Sequence, residues 1–256
     1  MSLQFKNSSI TALNLVASFP PRANALLELG PHFNSLAHHI RGKLLQTDAP
    51  PNAPPEIPRL IVAVNGIEYR MGLNRIEALI KEPPPDSPTR HLSDIKAAFS
   101  EITERIESIF KSGGILSDFV GVICTVHFPQ EVSASLQDIS KELFSGMTLG
   151  KTYEREVVTF GWQVGFLSKD RQHFINLNVK NYQRRVLNVQ GIPQQPIALD
   201  LSKSTLADQG VEVMVDINNR PKNTKVTPRA EFLSAFEVLD SEVSSLEKGL
   251  FGELRN

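Results

Sequence analysis

From Val157 to Gln190 apolar residues alternate with small or polar ones, the period of a half-buried β-strand. The polar break Ser168-Lys169-Asp170-Arg171 divides this stretch and predicts a hairpin. Folding the chain there sets Phe166 opposite His173, Val164 opposite Ile175, Trp162 opposite Leu177 and Phe160 opposite Val179, so that one face is core. The other face carries Thr159, Gly161, Gln163 and Gly165 against Phe174, Asn176, Asn178 and Lys180, and continues to Tyr182 and Arg184. That second face is polar and basic at one end.

The rest of the chain punctuates itself clearly. Ile10 to Phe19 alternates and reads as a strand stopped by Pro20-Pro21. Phe33, Leu36, Ala37, Ile40 and Leu44 share one helical face after Gly30-Pro31. Asp48 to Pro58 holds five prolines and predicts a loop. In RLIVAVNGIEYRMGL, Asn65-Gly66 supplies the positive-φ pair of a type I′ hairpin turn, pairing Val64 with Ile67, Val62 with Tyr69 and Leu60 with Met71. Ile76 to Ile80 predicts a further strand before Pro83-Pro84-Pro85. Ile95, Phe99, Ile102, Ile106 and Ile109 then mark a helix closed by Gly113-Gly114.

The same order recurs in the second half. FVGVICTVHFPQ superposes without a gap on ITALNLVASFPP, placing Val122, Cys124, Val126 and Phe128 where Leu13, Leu15, Ala17 and Phe19 fall. Leu136, Ile139 and Leu143 give a short helix face, and the Trp162 hairpin takes the place of the Asn65-Gly66 hairpin. Arg185-Val186-Leu187 before Pro193 and Pro196 matches Arg75-Ile76 before its prolines, and the second copy adds a strand, VEVMVDI, ahead of a last helix capped by Thr227 with Pro228 in its first turn and an apolar seam from Phe232 to Leu250. The expected fold is therefore α+β, a duplicated strand-helix-hairpin-strand-helix unit. An antiparallel sheet would carry the long helices on one face, with residues 1–114 and 115–256 as two units packed in one body.

Three stretches carry a family likeness: Asn7-Ser8-Ser9-Ile10 opening the first strand, the strand end Val215-Asp216-Ile217, and the terminal Leu250-Phe251 with Leu254-Arg255. In these the chain resembles a sporadically distributed, uncharacterised bacterial family of about this length. The resemblance implies a whole-chain unit and no activity.

Composition narrows the function classes. The 256 residues are 41% hydrophobic and 21% charged, with a net charge of -1, so nucleic acid or an anionic membrane is attracted only by a local patch. No apolar run approaches the roughly 18 residues of a membrane span. MSLQFKNSS lacks the apolar core of a secretory signal and the chain has one cysteine, which together predict a cytoplasmic protein without a membrane partner.

Candidate chemistry is sparse. Ser145 to Thr152 ends in Gly-Lys-Thr but has Ser145 where a phosphate-binding loop needs glycine, and it follows a helix instead of a strand. Cys124 and His127, three apart in a strand, point to opposite faces, so they do not form a nucleophile and base. His38 and His39 diverge on their helix, and His32, His91 and His173 are isolated. Carboxylates such as Glu101, Glu104, Glu107, Glu237, Asp240 and Glu242 sit on the solvent faces of helices. No catalytic residue, metal or cofactor follows from these patterns.

What remains is a binding surface of Lys169, Arg171, Phe174, Asn176, Asn178, Lys180, Tyr182 and Arg184. Between 151 and 190, seven Lys or Arg stand against three acids. The prediction is a non-enzymatic interaction protein that engages a protein partner or self-associates. Its alternative is a nucleic-acid-binding protein using aromatic and basic residues on an open sheet.

Overall fold

The computed structural model describes residues 5, 7–81, 89–130, 135–145, 160–186, 204–222 and 225–248. The proline run 83–85, the segment 146–152 with Gly-Lys-Thr, the hairpin extensions 157–159 and 187–190 and the terminal 250–255 lie outside the described residues.

The chain is α+β. Its strands are β1 (Ser9–Ser18), β2 (Lys43–Gln46), β3 (Leu60–Val64), β4 (Ile67–Met71), β5 (Arg75–Ile80), β6 (Phe119–Pro129), β7 (Gly161–Leu167), β8 (Phe174–Val186) and β9 (Thr205–Asn218). Its helices are α1 (Ala25–His39), α2 (Leu92–Ser112), α3 (Leu136–Ser145) and α4 (Pro228–Lys248). All nine strands form one antiparallel sheet in the order β2-β3-β4-β5-β1-β6-β9-β8-β7. The halves of the chain join where β1 pairs with β6, with Leu13 opposite Cys124 and Leu15 opposite Val122.

Alternation puts the core on one face. Leu13, Leu15, Ala17, Val122, Cys124, Val126, Val213, Val215 and Ile217 are all fully buried there. The apolar stripes of α2 and α4 are buried in the same cluster as these strand residues. Phe99 of α2 meets Phe236 of α4 with ring centroids 4.2 Å apart, and Phe110 packs edge-on against Phe19 at 5.7 Å. Burying each such Ile or Phe contributes about 1.5–3 kcal/mol, well above the fraction of a kcal/mol set by helix propensity. Pro228 opens α4 directly after Thr227, where its missing N–H costs nothing.

The Asn65-Gly66 turn has both residues at positive φ, 48° and 78°, and pairs Leu60, Val62 and Val64 with Met71, Tyr69 and Ile67. Two expectations need correction. The first helix starts at Ala25 and contains Pro31, because Ala25 and Leu29 extend its buried stripe backward and their packing outweighs the proline's lost bond. It also stops at His39, so Leu44 is not helical. Arg41 adopts φ 53°, and at Gly42 a Cβ would lie 2.6 Å from Val62 Cγ1; the chain reverses there and Leu44 enters β2 opposite Val62.

The second hairpin also pairs two residues further along than expected, with Trp162 opposite Val179, Val164 opposite Leu177 and Phe166 opposite Ile175. The turn is wider than its charged tetrapeptide. Ser168 and His173 close it, the Asp170 carboxylate accepts from Ser168 Oγ at 2.5 Å and Gln172 N–H at 3.0 Å, and Arg171 takes φ 59°. Because the shift is even, no side chain changes face.

Candidate functional site

The open face of the β6-β9-β8-β7 half carries most of the residues singled out above. On β8, Phe174, Asn176, Asn178, Lys180, Tyr182 and Arg184 alternate toward it, opposite Asn218, Asp216, Met214, Glu212, Gly210 and Asp208 of β9. Phe174 lies diagonally across Gly165, where a Cβ would meet its Cζ at 2.6 Å; the residue directly opposite Gly165 is Asn176, which accepts from Gln163 Nε2 at 3.0 Å. A side chain at 165 would thus have to push the Phe174 ring aside.

The cations on this face are balanced by acids. Lys180 Nζ lies 2.8 Å from Glu212, and the guanidinium of Arg184 pairs with Asp208. His127, from β6, reaches the other oxygen of Glu212 through Nε2 at 3.1 Å and stacks on Tyr182 with centroids 4.1 Å apart. The hydrogen bond with His127, together with Lys180, outweighs burial and holds the Glu212 pKa down at about 2. The Tyr182 hydroxyl is pushed far up, by burial first and by Asp208. Gly210, opposite Tyr182, lets β9 approach the β6 backbone closely, since a Cβ there would lie 2.1 Å from the Phe128 carbonyl oxygen.

Lys169 and Arg171 do not join this cluster. They sit at the hairpin turn, and Lys169 lies near enough to Glu242 of α4 to oppose the upward push that burial gives its carboxyl. Arg171 and Arg184 are separated by on the order of 40 Å of extended chain. Glu212 and Asp208 are not singled out by the sequence, and His127 enters there only beside Cys124. The alternation of β9 was the available signal, since it places Asp208, Glu212 and Asp216 off the core face.

The edge of β7 is the second feature. Val164 is 40%, Phe166 36% and Leu167 43% exposed, while Trp162 packs partly against the core. Ser168 N–H donates to His173 and Asn181 N–H to Phe160, so even-numbered residues of β7 face β8. The N–H and C=O groups of Gly161, Gln163, Gly165 and Leu167 therefore point outward, and among the described residues no strand pairs with them. The opposite edge of the sheet is the short β2, Lys43–Gln46, exposed along its whole length.

Elsewhere, His32, Ser35 and His39 of α1 face Glu101, Glu104, Arg105 and Ser108 of α2 across an open cleft of about 490 Å³. Its one anchored cation is Arg105, which donates to the buried Tyr69 hydroxyl at 2.9 Å and pairs with Glu101. His32 and His39, seven apart, share this cleft, a relation the adjacent pair His38-His39 obscures. His91 caps α2. His173 is buried beneath the hairpin turn, and neither ring nitrogen has a hydrogen-bond partner among the described residues. No group of His, Cys, Asp and Glu among the described residues could hold a metal ion. Cys124 is fully buried in the sheet, and burial raises its thiol pKa to about 12. No described helix is long and apolar enough to cross a membrane. In comparisons with protein-family models, curated proteins and solved structures, nothing matches this chain.

Proposed function

We propose that this chain is a non-enzymatic interaction protein whose contact surface is the outer edge of its second half. The observation that carries this reading is β7: a seven-residue strand with an exposed apolar row and outward-facing backbone groups, the arrangement into which a further strand adds. The alternative, single-stranded nucleic acid on the open face, is disfavoured by charge. Lys180 and Arg184 already face Glu212 and Asp208, so a phosphate backbone would have to displace both acids.

An internal duplication gives this asymmetry its meaning. The strand orders β3-β4-β5-β1 and β7-β8-β9-β6 correspond, so on this reading β9, and not Arg185-Val186-Leu187, takes the place of β5; the β1-β6 register sets Leu13 against Cys124 and Val122 against Leu15, as a two-fold relation between copies requires. On this reading β7 stands where β3 stands, with Val164 in the place of Val62. The first copy covers that edge with β2; among the described residues no strand covers it in the second.

A photocrosslinking residue at Leu167, introduced in living cells, tests the proposal. It should form a protein adduct that disappears when Gln163→Pro is added, whereas the same group at Asp240 should form none. Absence of an edge-dependent adduct overturns the reading. Oligonucleotide binding at low salt that Lys180→Ala with Arg184→Ala weakens would install the nucleic-acid alternative.

A further inference from the structure

We infer that the occupant of the β7 edge is β7 of a second copy of this chain, paired antiparallel about a two-fold axis through Val164. The inference rests on the interaction reading above and names its partner.

Backbone parity selects the register. The outward-facing residues are Gly161, Gln163, Gly165 and Leu167, and a two-fold axis at Val164 sets Gln163 against Gly165 and Gly161 against Leu167 of the second copy. Each of these pairs can then exchange N–H and C=O bonds, so every outward group on the strand finds a partner. An axis midway between two residues would set outward-facing groups against inward-facing ones, and an axis on Gln163 or Gly165 would leave Leu167 or Gly161 without a partner on the strand.

Side chains agree with the same axis. Trp162 and Phe166 are equidistant from Val164, so the pairing sets Trp162 against Phe166 of the second copy on both sides of a central valine pair. These are the non-hydrogen-bonded positions, where side chains approach most closely and aromatic pairs contribute most. On the opposite face the axis sets Gln163 against the glycine at 165, so nothing crowds there. Gly161 to Leu167 contains no charged residue and no proline, so pairing opposes no like charges. Edge strands that avoid pairing ordinarily carry such guards.

The molecule also contains its own precedent for the geometry. β2 lies antiparallel on β3, with Leu44 opposite Val62 and Leu45 opposite Ile61. In the duplicated frame Val62 and Ile61 correspond to Val164 and Gln163. A second copy's β7 would thus occupy, on the second half, the position β2 occupies on the first.

Sedimentation of the purified full-length chain over a wide concentration range tests the inference. The chain should approach twice its 28.4 kDa mass as concentration rises. Gln163→Pro should sediment at 28.4 kDa throughout, since it removes an outward N–H and, apart from the exposed side-chain bond to Asn176, no bond to β8. Val164→Lys, which opposes two ammonium groups at the axis, should do the same and serves if the proline variant loses its native circular dichroism. Val164→Cys should form a covalent dimer on mild oxidation, because only this residue meets itself.

A wild-type chain that stays at 28.4 kDa overturns the inference, as does a dimer that survives Gln163→Pro and Val164→Lys with both variants folded. A monomer whose edge-dependent adduct in cells is a different protein removes self-pairing and leaves the interaction reading standing. A monomer with no such adduct removes both.

Discussion

Replacing Glu212 with Gln tests the charge balance on which the ranking of surfaces depends. Glu212 lies between His127 and Lys180 with 19% of its side chain exposed, and its pKa is held at about 2 against an ordinary 4.5. A carboxylate with a depressed folded pKa contributes stability that is complete above 4.5 and is lost as the pH falls toward 2. The gap corresponds to about 3 kcal/mol near neutrality, or roughly 6–12 °C in Tm for a chain of this size. The amide keeps the shape and loses the attraction. Urea unfolding of both proteins, followed by circular dichroism from neutrality into the acid range, should show Glu212→Gln less stable by about that amount. The two curves should converge as the wild-type carboxylate takes up its proton. A difference that is absent near neutrality, or that stays constant down to about pH 3, would refute the argument.

Two further outcomes follow from buried groups. Burial, with help from the nearby Lys222 charge, lowers the His173 pKa below 6.5, so the unfolded chain takes up that proton first. The contribution to stability is complete above 6.5 and lost as the pH falls below it toward the folded value. His173→Met should flatten that part of the urea-midpoint profile, and an unchanged slope would show the imidazole is not its source. Gly210→Ala drives a methyl group to 2.1 Å from the Phe128 carbonyl oxygen, a backbone atom that cannot turn aside. It should cost about 3 kcal/mol in thermal unfolding, and a loss under about 1 kcal/mol would contradict the close packing of β9 on β6.

Local pattern determined most of the elements in this protein. Period-two alternation located the core faces of β1, β6 and β8, and helical spacing located α2 and α4. Asn65-Gly66 determined the β3-β4 register to the residue, because a two-residue turn with two positive-φ positions admits one pairing. The β7-β8 register was less constrained, since Ser168 and Asp170 build a wider turn from side-chain hydrogen bonds that composition does not specify. The faces survived that shift because it was even.

Strand adjacency was decided only by tertiary structure. Lys180 and Arg184 read as a basic surface along the chain, yet Glu212 and Asp208 arrive beside them from β9, and His127 arrives from β6. In the same way, nothing local to Lys43–Gln46 shows that it closes one edge of the sheet, nor does anything local to Gly161–Leu167 show that it ends the other. Neighbours in a sheet are chosen by how far-apart segments share one covered apolar face, and that choice depends on every helix laid across it.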